Sequence, residues 1–276
     1  MSGYFQPRLN QNKEPQNPAS RFFMRLSFRP SVWGNVLVIS SLLATACQRG
    51  PLQATAHLPA TTTSQPVGRG IVPDAGAATL IQPYHDKVLA QMQEVLGVAP
   101  VALSKNSGEN LIVNFVADLQ RTAAAQALHE PIALGVMTNG GMRAPMPAGP
   151  ITLGNVFELM PFENELMVLD APGPVVQQLF DYAAPVRMAV SGATYTVDAD
   201  KHPQNIVIGG QLFDPTKTYS IAISDYLAGG GDNMVFLKTV VPRHTGLLLR
   251  TAIADHIRAL TKAGQPITAR IEGRVK

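Results

Sequence analysis

Short apolar runs alternate with longer stretches of helical periodicity through most of this chain, and the alternation restricts it to a mixed α/β or α+β fold. Three runs have the length and composition of buried strands: 131–137, 166–171 and 219–224. Three stretches place apolar residues at the three- and four-residue spacing of an amphipathic helix: 109–128, 173–183 and 245–260. The sequence contains no internal repeat, so we predict one α/β (α+β) domain over residues 74–276, with mixed sheets and flanking helices.

Weaker patterns predict the remaining elements. Residues 77–96 have helical spacing with Gly97 as the stop, and Pro83 moves the start of the regular helix to about Tyr84. Residues 152–160 predict a short helix that begins at a capping threonine. The remaining predicted strands, of which the first two pair around a Ser-Gly turn, are 186–190, 193–197, 205–208 and 269–273.

The N-terminal 47 residues have the features of an export signal. Basic residues precede an apolar run, Val36–Ala46, that is short for a membrane-spanning helix. The run ends at Cys47, the single cysteine, in a sequence similar to a bacterial lipoprotein cleavage box. We therefore predict a signal peptide cleaved before Cys47, lipidation of that cysteine, and an exported, membrane-anchored lipoprotein that faces the periplasm or the cell surface. A plain secretory signal, an uncleaved anchor and a start at Met24 are the alternatives.

Composition separates the export signal from the predicted domain. Residues 48–73 are rich in threonine, proline, alanine and glycine, which is typical of a flexible linker. The formal net charge is +3, and residues 1–46 carry five basic residues against one acidic residue, so the rest of the chain is close to neutral. A neutral domain has no electrostatic basis for binding the nucleic-acid backbone, and we predict no nucleic-acid partner.

Two clusters combine glycines, aromatic rings and charged side chains in the manner of a binding site. In the first, 138–164, two adjacent glycines precede Arg143, and Phe162 lies between a proline and polar residues. The second, Asp225–Asp232, contains an aromatic ring, three consecutive glycines and a carboxylate. Glycine lets the backbone approach a ligand closely, and arginine makes forked contacts with carboxylate, phosphate or sugar oxygens. We predict that the two clusters face each other across one site.

Four segments, taken in order, resemble the C-terminal, substrate-binding domain of the 5′-nucleotidase family. They are Asn139-Gly-Gly-Met-Arg143, Gly149-Pro-Ile-Thr-Leu-Gly-Asn-Val156, Pro161-Phe-Glu-Asn164 and Tyr219–Asp232. Each segment alone is a common pattern, whereas four in the same order are specific. The resemblance covers essentially all of residues 74–276 and implies the fold of that domain.

The resemblance implies that several of these residues bind a nucleotide or nucleoside. Phe162 and Tyr226 would sandwich the base, since stacking tolerates any base. Asp232 would accept hydrogen bonds from the ribose hydroxyls, and Arg143 would contact the sugar or phosphate. The other residues expected near the ligand are Asn139, Gly140, Gly141, Gly229, Gly230 and Gly231. Without the resemblance, the aromatic rings would be interpreted as core residues and the arginine as a solvated surface residue.

The chain departs from the family pattern in two respects. Thr138 occupies a position at which the family carries an asparagine, and Lys105 lies near the position of a further family arginine. The family's chemistry also belongs to an N-terminal metallophosphoesterase domain with two metal ions, which this sequence lacks. Asp200-Lys-His202 matches a fragment of that metal-ligand set, but we predict a solvated turn there. We therefore predict no catalytic residue, metal site or cofactor in this chain, and divalent metals only in a separately encoded metallophosphoesterase partner.

Two functional hypotheses follow from these expectations. The first is a nucleotide- or nucleoside-binding component of a split 5′-nucleotidase-type phosphoester hydrolase, inactive alone and serving nucleotide catabolism. The alternative is a stand-alone nucleoside- or nucleotide-binding lipoprotein without catalysis. A scaffold that has lost its ligand is a third possibility, which retention of both aromatic rings and Asp232 disfavours.

Overall fold

The computed structural model describes Gly68 and residues 70–276, and residues Val72–Lys276 form one compact unit. The predicted signal peptide, Cys47 and most of the predicted linker lie outside the described residues. The six helices of the described part are α1 (Ala75–Met92), α2 (Leu111–Leu128), α3 (Leu153–Leu159), α4 (Gly173–Val186), α5 (Asp225–Ala228) and α6 (Leu249–Lys262). Its nine strands are β1 (Val95–Ala99), β2 (Leu134–Gly135), β3 (Gly149–Thr152), β4 (Glu165–Pro172), β5 (Ala193–Val197), β6 (Pro203–Ile208), β7 (Gln211–Leu212), β8 (Thr218–Ser224) and β9 (Pro242–Leu248).

A four-stranded sheet in the order β2-β8-β4-β9 separates two parts of the core. Successive residues of β4 point to opposite faces, so Leu166 and Val168 pack with Ala124 of α2. Met167 and Leu169 pack on the other face, in a cluster that includes α4. Because both faces are covered, the run 166–171 is apolar at almost every position rather than at alternate ones. The predicted mixed α/β fold is confirmed, with helices on both sides of this sheet.

Helix α2 also packs against a second group of buried residues, away from the four-stranded sheet. Ile112 and Val116 pack with Ile253 and Ile257 of α6, in a cluster completed by the antiparallel pair of β1 and β3. A separate three-stranded sheet in the order β5-β6-β7 lies outside this cluster. No helix in the described part of the chain is both long and apolar enough to cross a membrane.

Most of the strongly periodic segments have the predicted type. Helix α2 begins after Asn110, whose side chain accepts a hydrogen bond from Val113 N, and α3 begins after the predicted cap Thr152. The predicted strands at 166–171, 193–197, 205–208 and 219–224 and the helix at 173–183 are also present. The predicted strand 131–137 shortens to Leu134–Gly135, although Val136 N still donates to Ala222 O at 2.9 Å.

The start of α1 was predicted too late. The carboxylate of Asp74 accepts a hydrogen bond from Ala77 N at 2.8 Å, which caps a helix that begins at Ala75. The helix continues through Pro83, so the expected start at Tyr84 is wrong. Proline removes one backbone donor but does not end this helix, and the cap at Asp74 marks its start.

The end of α1 was also misplaced, because residues 95–99 form a strand. The helix ends at Met92, and β1 pairs antiparallel with β3. Gly97 does not stop a helix; a Cβ there would lie 2.6 Å from Thr261 Oγ1, so the glycine allows α6 to approach the strand.

The predicted helix 245–260 begins four residues later than expected. Residues 245–248 belong to β9, which pairs with β4 through Met167 and His244 and through Glu165 and Leu248. Leu248 precedes α6 without a side-chain capping bond, so the sequence carried no polar signal for this boundary.

Two predicted strands are absent. In 186–190, Val186 is the last residue of α4, and Arg187 ends the helix in the left-handed region at φ 51°. In and next to 269–273, a side chain rather than a neighbouring strand accepts the backbone hydrogen bonds. Glu109 accepts from Glu272 N and from Arg274 N, each at 2.9 Å. This side chain therefore supplies backbone hydrogen bonds that a neighbouring strand would otherwise provide.

Candidate functional site

Strand direction brings three loops to one edge of the central sheet. β2 and β8 are parallel neighbours, so their carboxyl ends lie at the same edge. The chain leaves β2 into the loop 136–143 and leaves β8 into α5. β4 runs antiparallel to β8 with Leu166 opposite Ser224, so the segment Pro161–Asn164 enters at that edge too. The structure thus brings the two sequence clusters together.

The three loops enclose a cavity of about 310 Å³, which we call the clamp cavity. Six of the predicted site residues line it: Gly140, Gly141, Arg143, Phe162, Tyr226 and Asp232. The buried side chains of Met137, Met160 and Leu227 provide its apolar surface. An apolar lining with a few polar groups is the usual composition of a small-molecule site.

The two aromatic rings are unusually accessible for their size. Phe162 is 42% exposed and Tyr226 is 53% exposed, so neither is a core residue. Tyr226 packs against Gly231, where any Cβ would overlap the ring. The guanidinium carbon of Arg143 lies 5.9 Å from the centroid of the Phe162 ring, within the range of a cation–π contact.

Asp232 is held by side chains from both clusters. Thr138 Oγ1 donates to its Oδ2 at 2.7 Å, and the Tyr226 hydroxyl donates to its Oδ1 at 3.0 Å. The backbone is in the left-handed region, with φ 50°, which aspartate tolerates better than most residues. A carboxylate has about four lone-pair directions, so two hydroxyl donors leave acceptor capacity for a ligand.

Asn164 also lines the clamp cavity, although it is not among the predicted site residues. Its Nδ2 donates to Asp225 Oδ1 at 2.7 Å, and the same oxygen accepts from Tyr226 N at 2.7 Å. Asn164 therefore connects the loop of one aromatic ring to the backbone of the other. Its position two residues after Phe162 in the sequence is the feature that could have predicted it as a site residue. Thr138, noted only as a departure from the family, supports Asp232.

Four predicted site residues do not line the clamp cavity. Asn139 accepts from Asn110 Nδ2 at 2.8 Å and donates to Asn106 O at 2.9 Å, so its amide is committed to the preceding loop. The glycines 229–231 shape the turn after α5. Gly230 adopts φ 86°, and a Cβ there would lie 2.6 Å from Lys238 Cε.

The two basic residues near the clamp cavity differ in their availability. Lys105 Nζ donates to Met142 O at 2.7 Å, which fixes the lysine against the loop backbone. The Arg143 side chain is exposed and makes no hydrogen bond or ion pair with any described residue. Arg143 is therefore the basic group free to contact a ligand at this cavity.

Arg250 of α6 fastens the loop that carries Phe162. Its Nη1 donates to Pro161 O at 3.1 Å and to Phe162 O at 3.4 Å. Its guanidinium carbon lies 4.2 Å from the centroid of the Phe157 ring, and its side chain is only 13% exposed. A partly buried guanidinium with several acceptors holds a loop more rigidly than a lysine could.

The sequence resemblance implies a nucleoside ligand, and we expect Arg250→Lys to weaken its binding without unfolding the chain. Lysine cannot reproduce the planar fork, so the loop loses about one hydrogen bond, worth ~1 kcal/mol or roughly fivefold in Kd. Calorimetry with adenosine measures the change. Arg258→Lys is the matched control, because Arg258 lies on the same helix in exposed ion pairs with Glu94 and Asp255. Equal affinities of the two variants would contradict the role of Arg250.

The described residues contain few side chains placed to bind a metal together. Among Gly68 and residues 70–276, no three or more His, Cys, Asp or Glu side chains are grouped so that they could hold a metal ion. The turn predicted at Asp200–His202 lies within residues 198–202: His202 N donates to Asp198 Oδ1 at 2.8 Å, and Lys201 adopts φ 66°. No metal-dependent step is assigned to these residues.

Comparison with known proteins identifies the family. Residues 88–239, more than half of the chain, match the family described as 5′-nucleotidase, C-terminal domain. The chain belongs to this family. The predicted resemblance is thereby confirmed, and the cavity lies within the matched segment.

Similar proteins are longer than this chain. It is 30% identical over 164 residues to protein UshA of Escherichia coli, covering 56% of this chain and 29% of UshA. It is 29% identical over 167 residues to endonuclease YhcR of Bacillus subtilis, covering 57% of this chain and 13% of YhcR. The crystal structure of a 5′-nucleotidase precursor from Thermus thermophilus superposes with a TM-score of 0.60 and 27% identity, over 74% of this chain and 44% of that one. The chain thus spans less than half the length of these relatives.

Proposed function

We propose that this chain is the nucleotide- or nucleoside-binding component of a split 5′-nucleotidase-type phosphoester hydrolase. The observation that carries the proposal is the clamp cavity, in which two exposed aromatic rings and a braced carboxylate converge. Membership of the 5′-nucleotidase C-terminal domain family supports a nucleotide as the ligand class. The chain would act in nucleotide catabolism.

The aromatic rings bind the base in this proposal. The clamp cavity of about 310 Å³ is at the lower end of the range for small-molecule sites, which suits a nucleoside. Stacking on an aromatic side chain is worth ~1–3 kcal/mol per base and depends little on base identity. The Tyr226 hydroxyl is engaged by Asp232, so the ring orientation is fixed before the ligand arrives.

The polar groups bind the sugar and the phosphate. Asp232 accepts hydrogen bonds from ribose hydroxyls with the lone pairs that Thr138 and Tyr226 leave open. Arg143 supplies a guanidinium to the sugar or phosphate oxygens. Asn164 lines the same cavity and connects the loop of Phe162 to Asp225, next to Tyr226, through a hydrogen bond.

A separately encoded metallophosphoesterase provides the chemistry in this proposal. Its two metal ions activate water against the phosphoryl group, a task for which the described residues supply no ligand set. Helix α1 supports such an association because none of its residues is buried. Leu80, Tyr84 and Val88 recur at four-residue spacing and are all exposed, which makes an apolar stripe available to a partner protein.

The proposal places the protein outside the cytoplasm. Lipidation of Cys47 would tether it to a membrane, with residues 48–73 as a spacer, and expose the clamp cavity to the periplasm or the cell surface. The alternative function is a stand-alone nucleoside- or nucleotide-binding lipoprotein, which the same cavity supports without any partner.

Calorimetry and a phosphate-release assay test the proposal together. The full chain should bind adenosine and AMP, and Phe162→Ala should raise the Kd about 5- to 150-fold, because one stacking contact is worth ~1–3 kcal/mol. Mixed with a metallophosphoesterase encoded beside its gene, the chain should release phosphate from AMP, whereas alone it should not. Tyr84→Ala is the matched control: an exposed ring is lost outside the clamp, so nucleoside affinity should persist while association with the partner weakens.

The outcomes separate the hypotheses. Binding lost in Phe162→Ala, without phosphate release in the mixture, would support the stand-alone binding protein. No measurable binding of any nucleoside or nucleotide would leave a scaffold and contradict both binding functions.

A further inference from the structure

A second cavity of about 800 Å³ adjoins the clamp cavity. Asp232, Thr138 and Gly140 line both, so they form a common wall. The second cavity is otherwise enclosed by the loop before α2, the end of α4 and the C-terminal segment. A nucleoside in the clamp would leave this larger space unused.

Several polar groups of the second cavity already have partners. Glu109 accepts from Glu272 N, Arg274 N and Asn114 Nδ2, each at 2.9 Å. The Asn139 amide is likewise engaged through both its nitrogen and its oxygen. These side chains hold the walls in place and leave little capacity for a ligand.

Among the larger side chains of the second cavity, two keep free donors. Arg187, directly after α4, is exposed and forms no ion pair or hydrogen bond with another described side chain. The hydroxyl of half-buried Tyr182 also has no hydrogen-bond partner among the described residues. Burial raises the pKa of Tyr182, and the charges of Asp232 and Tyr226 raise it further, so the hydroxyl keeps its proton and remains a donor.

Apolar side chains form the rest of the lining. Val186 and Ile271 are each 57% exposed, while Val113, Met137 and Val275 are buried. Exposed branched side chains beside a concave surface favour contact with an apolar ligand body. The one aromatic ring that lines this cavity, Tyr182, lies in a tilted contact with Phe236 at 6.5 Å, so the cavity lacks the pair of exposed rings that the clamp cavity presents.

We propose that the second cavity binds a small organic carboxylate with an apolar body, whose anion pairs with Arg187 and Tyr182 while the body packs on Val186 and Ile271. A carboxylate fits better than a phosphate, because a phosphate monoester carries nearly two negative charges. One arginine opposes those charges, and the carboxylates of Asp232 and Glu109 line the same cavity. The proposal is independent of nucleotide binding in the clamp.

3-Phenylpropionate is the probe for this site. Calorimetry with the full chain should give a Kd of about 1 mM or tighter, the affinity expected of a ligand this small. 3-Phenylpropanamide, which has the same body without the charge, and acetate, which has the charge without the body, should each bind at least about tenfold more weakly. Backbone amide shifts in NMR spectra should concentrate in 186–189 and 271–275.

Variants locate the site. Arg187→Gln should weaken 3-phenylpropionate at least about tenfold, and Arg187→Lys should lose less because it retains the charge. Lys262→Gln removes an exposed charge at the end of α6 and should change nothing. If Arg187→Gln fails to fold, Val186→Trp provides a second route, since a bulky ring at this exposed position should block the cavity.

The proposal would be overturned if Arg187→Gln or Val186→Trp bound 3-phenylpropionate as tightly as the wild type does. Equal affinities of the wild type for 3-phenylpropionate and 3-phenylpropanamide would also overturn it. A loss in Phe162→Ala would place the carboxylate in the clamp and overturn it as well. Because Phe162→Ala is expected to abolish nucleoside stacking and spare 3-phenylpropionate, failure of this proposal is distinguishable from failure of the proposed function.

Discussion

If the proposed function is correct, Asp232→Asn should remove a preference of the clamp cavity for a nucleoside with an intact ribose. A hydrogen bond to a charged acceptor is worth ~1.5–3 kcal/mol, so adenosine affinity should fall about 10- to 150-fold. The affinity for 2′,3′-dideoxyadenosine, which lacks both hydroxyl donors, should already be low and should change little. Asparagine also tolerates the left-handed backbone at φ 50°, so the turn should persist.

Paired calorimetric titrations of both nucleosides measure this effect. Asp200→Asn is the control, because it removes an exposed carboxylate from the turn at 198–202 and leaves the clamp intact. Equal losses for adenosine and the dideoxynucleoside would show that Asp232 only braces Tyr226 and Thr138. An unchanged adenosine affinity would contradict any ligand contact by this carboxylate.

Gly135→Ala should be among the most destabilising single substitutions in the described residues. A Cβ at this position would overlap Ala117 O and lie 3.1 Å from both Arg121 Cβ and Ser191 Cβ. No rotamer change can move a backbone carbonyl, so α2 and β2 must separate. Overpacking of this kind costs about 3 kcal/mol, which lowers the Tm by roughly 6–12 °C for a domain of this size.

Thermal and urea unfolding followed by circular dichroism measure the change. Gly76→Ala in α1 is the control: its Cβ would meet only Asp74 Oδ1, at 3.3 Å, and alanine favours the helix. A Tm of Gly135→Ala within about 1 °C of the wild type would show that the helix and strand separate at little cost. Because the loop 136–143 follows β2 directly, nucleoside affinity should fall with stability.

The sequence predicts an element well where burial alone determines the pattern. β4 is apolar on both faces because α2 covers one side and α4 the other, and its bounds follow from the apolar run. Helix α3 was predicted from its cap, since Thr152 Oγ1 accepts from Asn155 N while Asn155 Oδ1 accepts from Thr152 N.

Elements whose partners are distant were predicted less well. Residues 245–248 and 95–99 become strands because β4 and β3 lie beside them, and neither neighbour is visible in the local periodicity. Residues 269–273 form no strand because Glu109, in the loop before α2, and Asn114, in α2, supply their hydrogen bonds. Tertiary partners decide these segments rather than local propensity.

The clamp cavity was predictable to the extent that its residues resemble a family pattern. Phe162, Tyr226, Arg143 and Asp232 do meet, but their meeting depends on the parallel pairing of β2 and β8. The support of Asp232 by Thr138 and the fastening of the Phe162 loop by Arg250 were not predictable, because each joins residues far apart in the chain. The orientation of the Asn139 side chain, away from the clamp cavity, was likewise not predictable, because its hydrogen-bond partners are in the loop at 106–110.

The hydrogen bond between Thr138 and Asp232 joins residues 94 positions apart, from the loop after β2 to the turn after α5. Contacts of such high sequence separation form late, since the intervening chain must first give up its conformational entropy. The clamp should therefore appear only when the sheet is complete. Recovery of nucleoside binding during refolding should lag behind recovery of helical structure, and a fragment that ends before β8 should bind no nucleoside.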